Sequence, residues 1–333
     1  MSKHVAIVGA TGAVGDELLR ILAERDFPVA SLRPLASARS AGKTVTFKGE
    51  SVTVEELTKD SFTGIDIAFF SAGGSISKAL AAPAVESGAV VIDNTSHFRM
   101  KDGIPLVVPE VNPEATHKHM GLIANPNCST IIMAVPVWPL FKAFRLKRIA
   151  VSTYQAVSGA GAAGLEELER QTRQHVAGEP ITKEKFAYPV VHNVFSHDSA
   201  VDPDTGRNVE EQKMIDETAK IFATDKLGVS ATCIRVPVPR THCESINLEF
   251  AEAVTPEQVR EVLAAAPGIK IVDDRAANHF PMPTEASNQD DVLVGRIRQD
   301  SSRPDGRGID LFVAGDQIRK GAATNAVQIA ELL

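Results

Sequence analysis

The pattern of apolar and polar positions changes character near residue 128. Before it, short wholly apolar runs alternate with helical stripes. Residues 5–8 form an apolar run closed by Gly9, and Leu18, Leu19, Ile21 and Leu22 then recur at helical spacing, so the chain predicts strand, turn, helix. Further strands are expected near 31–37, at 65–71 and at 89–93, with a helix at 77–87. The run at 65–71 is apolar enough to be buried on both faces, as in a parallel sheet. Strand–helix alternation of this kind predicts an α/β fold with a Rossmann-type, doubly wound parallel sheet.

After residue 128 longer strand-like runs appear at 148–157, 230–238, 245–253, 291–298 and 309–314, with helical patterns at 162–176, 208–222 and 256–265 among them. These predict an α+β domain with a mixed or mostly antiparallel sheet. The expected division is 1–127 for the first domain and 128–319 for the second, with a C-terminal helix at 320–333 packing back on the first. A length of 333 residues suits two cores better than one.

Composition narrows the function by exclusion. A net charge of −7 disfavours binding to a nucleic-acid backbone. The apolar run at the N-terminus is about five residues, shorter than the roughly 7–15 of a secretory signal. The longest apolar stretch, 131–141, carries Pro136 and Pro139 and falls short of the ~20 residues that span a bilayer. The three cysteines, Cys128, Cys233 and Cys243, draw neither a disulfide framework nor a CxxC metal pair, so the expectation is a cytoplasmic protein without metal or membrane attachment.

The turn after the first strand reads Gly9-Ala10-Thr11-Gly12-Ala13-Val14-Gly15. Glycines there permit a tight turn and let backbone N–H groups approach a pyrophosphate at a helix N-terminus. After the second strand the run 36–43 contains no acid to hold a ribose 2′-hydroxyl. Arg39 and Ser40 suit a 2′-phosphate instead, which favours NADP over NAD. The same residues also fit a ligand-free glycine turn and a solvated loop arginine.

Asn125-Pro126-Asn127-Cys128 precedes an apolar helical stretch. A helix N-terminus stabilises a thiolate, so Cys128 is the candidate nucleophile, whereas Cys233 and Cys243 fall in strand-like segments and read as small buried hydrophobes. A cysteine nucleophile together with a nicotinamide suggests an acyl-enzyme reduced by hydride, with a histidine as acid–base. Of the nine histidines, His4, His97, His117, His119, His175, His192 and His197 offer nothing to single them out.

Taken in order, GATGAVG, SARSAG, SHFRM, NPNCST, YQAVSGAG, EEQKM and IRVPVPRTH resemble the aspartate-semialdehyde dehydrogenase family over essentially the full length. The resemblance implies Cys128 as the thioester nucleophile, His242 as acid–base and Gln155 as the residue orienting the substrate or acyl-enzyme. It implies Arg99 and Lys213 for phosphate, Glu210 for the substrate amine and Arg235 for its carboxylate, and leaves Glu211 as an alternative to Glu210. Gly9, Thr11, Gly12, Ala13, Val14, Arg39, Ser40, Ser158, Gly159 and Asn325 would contact NADP, and a homodimer through the second-domain sheet is implied as well. Glu210 and Lys213 are three apart and share a helical face, which equally describes a surface ion pair. The competing readings are a reductase of N-acetylated γ-glutamyl phosphate, whose substrate offers no cation, and an idle relative that only binds nucleotide.

Overall fold

The computed structural model describes residues 2–333. The chain divides into two compact units, Met1–Asn127 with Gly321–Leu333, and Cys128–Lys320.

The first unit holds strands β1 (Lys3–Val8), β2 (Val29–Ala36), the hairpin β3 (Thr44–Phe47) and β4 (Glu50–Thr53), then β5 (Glu55–Glu56), β6 (Ile67–Phe70), β7 (Val90–Asp93) and β8 (Leu122–Ala124). Its six-stranded sheet runs β5-β2-β1-β6-β7-β8 and is parallel throughout. Helices α1 (Ala13–Glu24) and α2 (Gly74–Glu86) connect its strands. Because side chains alternate along a strand, Val5 and Ile7 face one core with α1, and Ala6 and Val8 face another with Ala81 and Ala84 of α2. That two-sided burial is why the strands read as unbroken apolar runs.

The second unit begins at α3 (Cys128–Ala143) and continues through β9 (Leu146–Gln155), α4 (Ala162–Ala177), β10 (Phe195–Ser196), α5 (Val209–Ile221), β11 (Gly228–Arg235), β12 (His242–Phe250), α6 (Pro256–Ala264), β13 (Ile269–Ile271), α7 (Pro283–Ala286), β14 (Val292–Gln299) and β15 (Gly308–Gly315). The sheet is mixed, in the order β10-β11-β9-β12-β15-β14-β13. α3 runs helical through Pro136 and Pro139 and is buried along most of its length. After a π-helical turn at Arg319–Ala323 the chain enters α8 (Thr324–Glu331), whose Ala326, Val327, Ile329 and Ala330 join the α1 core.

Several boundaries differ from the sequence pattern. β11 stops at Arg235 instead of 238, where Pro237 and Pro239 lack ladder donors. β12 starts at His242, three residues before the expected 245, so the histidine lies on a strand. The hairpin β3–β4 and strands of two or three residues such as β5, β8, β10 and β13 escaped the pattern, being too short to show a period. The C-terminal helix covers 324–331 of the expected 320–333.

Among the described residues, no helix is long and apolar enough to cross a membrane, and no group of three or more His, Cys, Asp or Glu is placed to hold a metal ion.

Candidate active site

In the first unit the turn after β1 is tightly packed against the start of α1. Gly9 has φ +92°, and a Cβ there would meet Ser71 O at 3.0 Å. At Gly15 a Cβ would come within 2.2 Å of Gly9 O, so the start of α1 must pack directly on the turn. Gly12, the cap of α1, has no side-chain capping bond, which leaves first-turn N–H groups to another acceptor. Thr11 and Gly12 are exposed, and Ala13 and Val14 partly so.

The chain turns after β2 with Ser40 N–H donating to Ser37 O (2.8 Å), which leaves Arg39 exposed and Ser40 partly so. Arg99 follows β7. It is buried, with Nε donating to Asn125 O (3.0 Å) and Nη2 to Asn94 O (2.8 Å), so it sits at the carboxyl ends of β7 and β8. That edge of a parallel sheet is where such folds bind ligands. Asn325 is fully buried in α8, and its Nδ2 donates to Val107 O (3.0 Å) and Asn125 Oδ1 (2.6 Å), so its amide nitrogen braces the loop before Cys128.

The second unit carries Cys128, Gln155, Glu210, Lys213, Arg235 and His242. Cys128 opens α3 and is partly buried, whereas Cys233 and Cys243 are buried. Burial raises the Cys233 thiol strongly and pushes that of Cys243 up to about 12, so neither is a thiolate near neutral pH. Next to Cys128, Ser129 Oγ accepts from Gln155 Nε2 (2.5 Å). Gln155 Nε2 also donates to Glu210 Oε1 (3.1 Å), and Glu210 Oε2 accepts from Lys213 Nζ (3.1 Å). Gln155 Oε1 is buried with no hydrogen-bond partner among the described residues.

Ala156 fixes two more groups at once. Its N–H donates to His242 Nδ1 (3.0 Å), and its carbonyl accepts from Arg235 Nη1 (2.7 Å). Burial, reinforced by the nearby Arg235 charge, pushes the His242 imidazole down to about 3. Arg235 is buried over the Phe186 ring at 5.7 Å, and Nε and Nη2 both donate to Asp198 Oδ1 (3.2 and 2.6 Å). Its Nη2 also reaches His197 Nε2 at 3.0 Å.

Gly159 lies against both groups. A Cβ there would sit 2.9 Å from His242 Cε1 and 3.3 Å from Arg235 Nη1. Ser158 Oγ donates to Pro239 O (2.5 Å) and accepts from Gln317 Nε2 (2.6 Å). Gln317 Oε1 in turn accepts from Thr241 N–H (2.7 Å). Thr241 has φ +80°, a strained conformation for a β-branched residue, immediately before His242.

Comparison with known proteins gives the arrangement a family. Residues 4–119 match the model of the semialdehyde dehydrogenase NAD binding domain, and residues 137–320 that of the semialdehyde dehydrogenase dimerisation domain. The aspartate-semialdehyde dehydrogenase of Synechocystis is 53% identical over 99% of this chain and 97% of its own. The chain belongs to the aspartate-semialdehyde dehydrogenase family. Among solved structures, aspartate semialdehyde dehydrogenase II of Vibrio cholerae complexed with ASA matches with a TM-score of 0.96 at 46% identity, covering 100% of this chain and 98% of that one. The Candida albicans aspartate semialdehyde dehydrogenase with NADP matches with a TM-score of 0.76 at 25% identity over 100% and 98% of the two chains.

Within this aspartate-semialdehyde dehydrogenase framework the two adjacent glutamates differ in surroundings. Glu211 Oε2 accepts from Asn208 N–H (2.9 Å) in a capping box, and its Oε1 accepts from Cys233 N–H (3.0 Å). Glu210 instead faces Gln155 and Lys213. Sequence reasoning missed His197 and Asp198, because β10, the short strand that pairs Phe195 with Arg235, carries no signal of its own.

Proposed function

We propose that the chain reduces L-aspartyl 4-phosphate to L-aspartate 4-semialdehyde and phosphate with NADPH, through a thioester on Cys128, in the branch leading to lysine, threonine and methionine. The observation that carries this is the hydrogen-bonded cluster that starts beside Cys128 and joins Ser129, Gln155, Glu210 and Lys213 within one unit. The substrate carries an ammonium, a carboxylate and a phosphate. Glu210 answers the first, Arg235 the second, and Arg99 and Lys213 offset the charge of the third.

Cys128 attacks the acyl carbon, phosphate departs with its bonding pair, and the acyl group is held as a thioester. When bound, the nicotinamide supplies the hydride that reduces this thioester. His242 donates through Nε2–H to the acyl oxygen as charge builds there, and the thiolate of Cys128 is then expelled to leave the aldehyde. Gln155 orients the acyl group through its buried amide. Gly9, Thr11, Gly12, Ala13 and Val14 suit the pyrophosphate, with Ser158 and Gly159 as further cofactor contacts. Arg39 and Ser40 support NADP over NAD, as does the NADP held by the Candida relative. A homodimer through the second-unit sheet accords with the matched dimerisation domain, and free cysteines accord with a reducing cytoplasm.

The test is NADP reduction by aspartate semialdehyde with and without inorganic phosphate, run beside NAD and beside N-acetylglutamate semialdehyde. Turnover should require phosphate and prefer NADP and the free amine. Phosphate-independent turnover, or equal use of the N-acetylated aldehyde, would overturn the reading.

A further inference from the structure

His197 lies just past β10, with its backbone N–H donating to Cys233 O (2.9 Å). Its imidazole connects the two residues assigned above to the carboxylate and the ammonium that the substrate carries on one carbon. A guanidinium can only donate, so the 3.0 Å approach of Arg235 Nη2 requires a lone pair on His197 Nε2. The Ser199 backbone N–H also approaches Nδ1 (3.2 Å), but a neutral ring can accept at one nitrogen only. The shorter, charge-assisted contact at Nε2 outweighs it, which places the ring hydrogen on Nδ1, 3.1 Å from Ser199 Oγ. Ser199 Oγ also accepts from the backbone N–H of Glu210 (3.2 Å), at the start of α5.

We propose that neutral His197 is a positioning residue that ties the carboxylate reader Arg235 to the amine reader Glu210, and so sets the affinity for substrate without entering the bond-making steps. The proposal rests on the roles of Arg235 and Glu210 given under the proposed function. Four of the five guanidinium N–H groups are already directed at protein acceptors, two at Asp198 and one each at Ala156 O and His197. In this conformation a substrate carboxylate meets the remaining Nη1–H, so its grip depends on how firmly the plane is held. Asp198 and Ala156 O hold one side and one end. His197 supplies the contact that also reaches α5. Burial, opposed in part by Glu210, lowers the pKa of this histidine, which favours the lone pair that Arg235 needs.

A leucine at 197 fills space but accepts nothing. His197→Leu should raise KM for aspartate semialdehyde about tenfold while kcat changes less than about threefold, as expected for a lost hydrogen bond to a charged group. His197→Gln offers an acceptor and a donor on one side chain and should restore KM to within about threefold of the parent. Arg235→Lys serves as the reference, and His197→Leu added to it should raise KM little further, because both act through one contact. If Arg235→Lys leaves KM unchanged, the carboxylate reading fails and this inference falls with it. If Arg235→Lys raises KM but His197→Leu does not, or if Gln fails to rescue, or if the two substitutions multiply, only this inference is overturned. Ser199→Ala breaks the next link without touching Arg235, so it keeps the proposal readable should the leucine variant not fold. It should raise KM by a smaller factor, and an unchanged KM would count against the coupling.

Discussion

Glu244 is the residue whose environment most sharply constrains what the protein can do with pH. It lies on β12 two residues after His242, on the same face, and pairs across the ladder with Thr153 of β9. It is fully buried, and among the described residues neither carboxylate oxygen has a hydrogen-bond partner. Burial alone raises its pKa well above 4.5, so in the fold it is held as the neutral acid. In the unfolded chain the same carboxyl ionises near 4.5. Above that pH, and until the raised native pKa is reached, the native state binds one more proton than the unfolded state. Stability therefore falls by about 1.4 kcal/mol per pH unit from this residue.

Glu244→Gln removes the titration while keeping size and polarity. The variant and parent should have similar thermal midpoints near pH 4.5. From pH 5 to 8 the variant should gain roughly 3–5 °C per pH unit on the parent, for a unit of this size, as long as the native pKa lies above the working pH. Scanning calorimetry or fluorimetry in matched buffers reads the difference directly. A midpoint difference that stays constant over that range, or that turns against the variant as pH rises, would mean that Glu244 is ionised and partnered in the fold.

Gly159→Ala would force a methyl group against His242 and Arg235, so kcat/KM should fall by roughly 10²-fold with an unchanged circular-dichroism spectrum, and unaltered kinetics would show that this crowding does not exist. Cys128→Ala should fold normally and lose at least roughly 10³-fold in turnover; a variant that still reduces NADP would exclude the covalent route. Glu210→Gln should raise KM for aspartate semialdehyde several-fold with little change in melting. Glu211→Ala should do the opposite, lowering stability by about 1 kcal/mol through the lost capping box while leaving KM alone, and an exchange of these two outcomes would reverse the assignment.

The parallel sheet was legible in the sequence because both of its faces are buried, which turns 5–8 and 67–70 into unbroken apolar runs that no surface strand shows. Cys128 was legible because local chemistry marks it: a turn of Asn and Pro, then an apolar helix. The remainder of the cluster was expected only from the family motifs, since Gln155, Glu210 and Arg235 come from different elements and meet by strand pairing and helix packing. Glu210 and Glu211 could not be separated by a reading of the chain, because both sit in the first turn of α5 and their difference is which partners the tertiary fold brings. His197 was passed over for the same reason. Its significance depends on the antiparallel pairing of Phe195 with Arg235, and a two-residue strand leaves no period to read.

The hydrogen bond from Ala156 N–H to His242 Nδ1 decides what that imidazole can do. A backbone amide only donates, so Nδ1 presents its lone pair and the ring hydrogen resides on Nε2. Protonating the ring would set two hydrogens against each other at Nδ1. That conflict acts in the same direction as burial and the Arg235 charge, which hold the pKa near 3. Because its pKa is depressed, the His242 ring stays neutral throughout the range above it and neither gains nor loses charge between pH 5 and 8. The chemistry accommodates this. Reduction of a thioester to an aldehyde places negative charge on oxygen only until the carbon–sulfur bond breaks, so a neutral N–H donor stabilises the step with no net transfer of its proton. Nitrogen-15 NMR of the imidazole side chains, assigned with His242→Asn, should find one ring fixed as the Nε2–H tautomer from pH 5 to 8. If that ring instead takes up a proton within the range in the resting protein, His242 is a conventional acid and the role of Ala156 N–H has been misjudged.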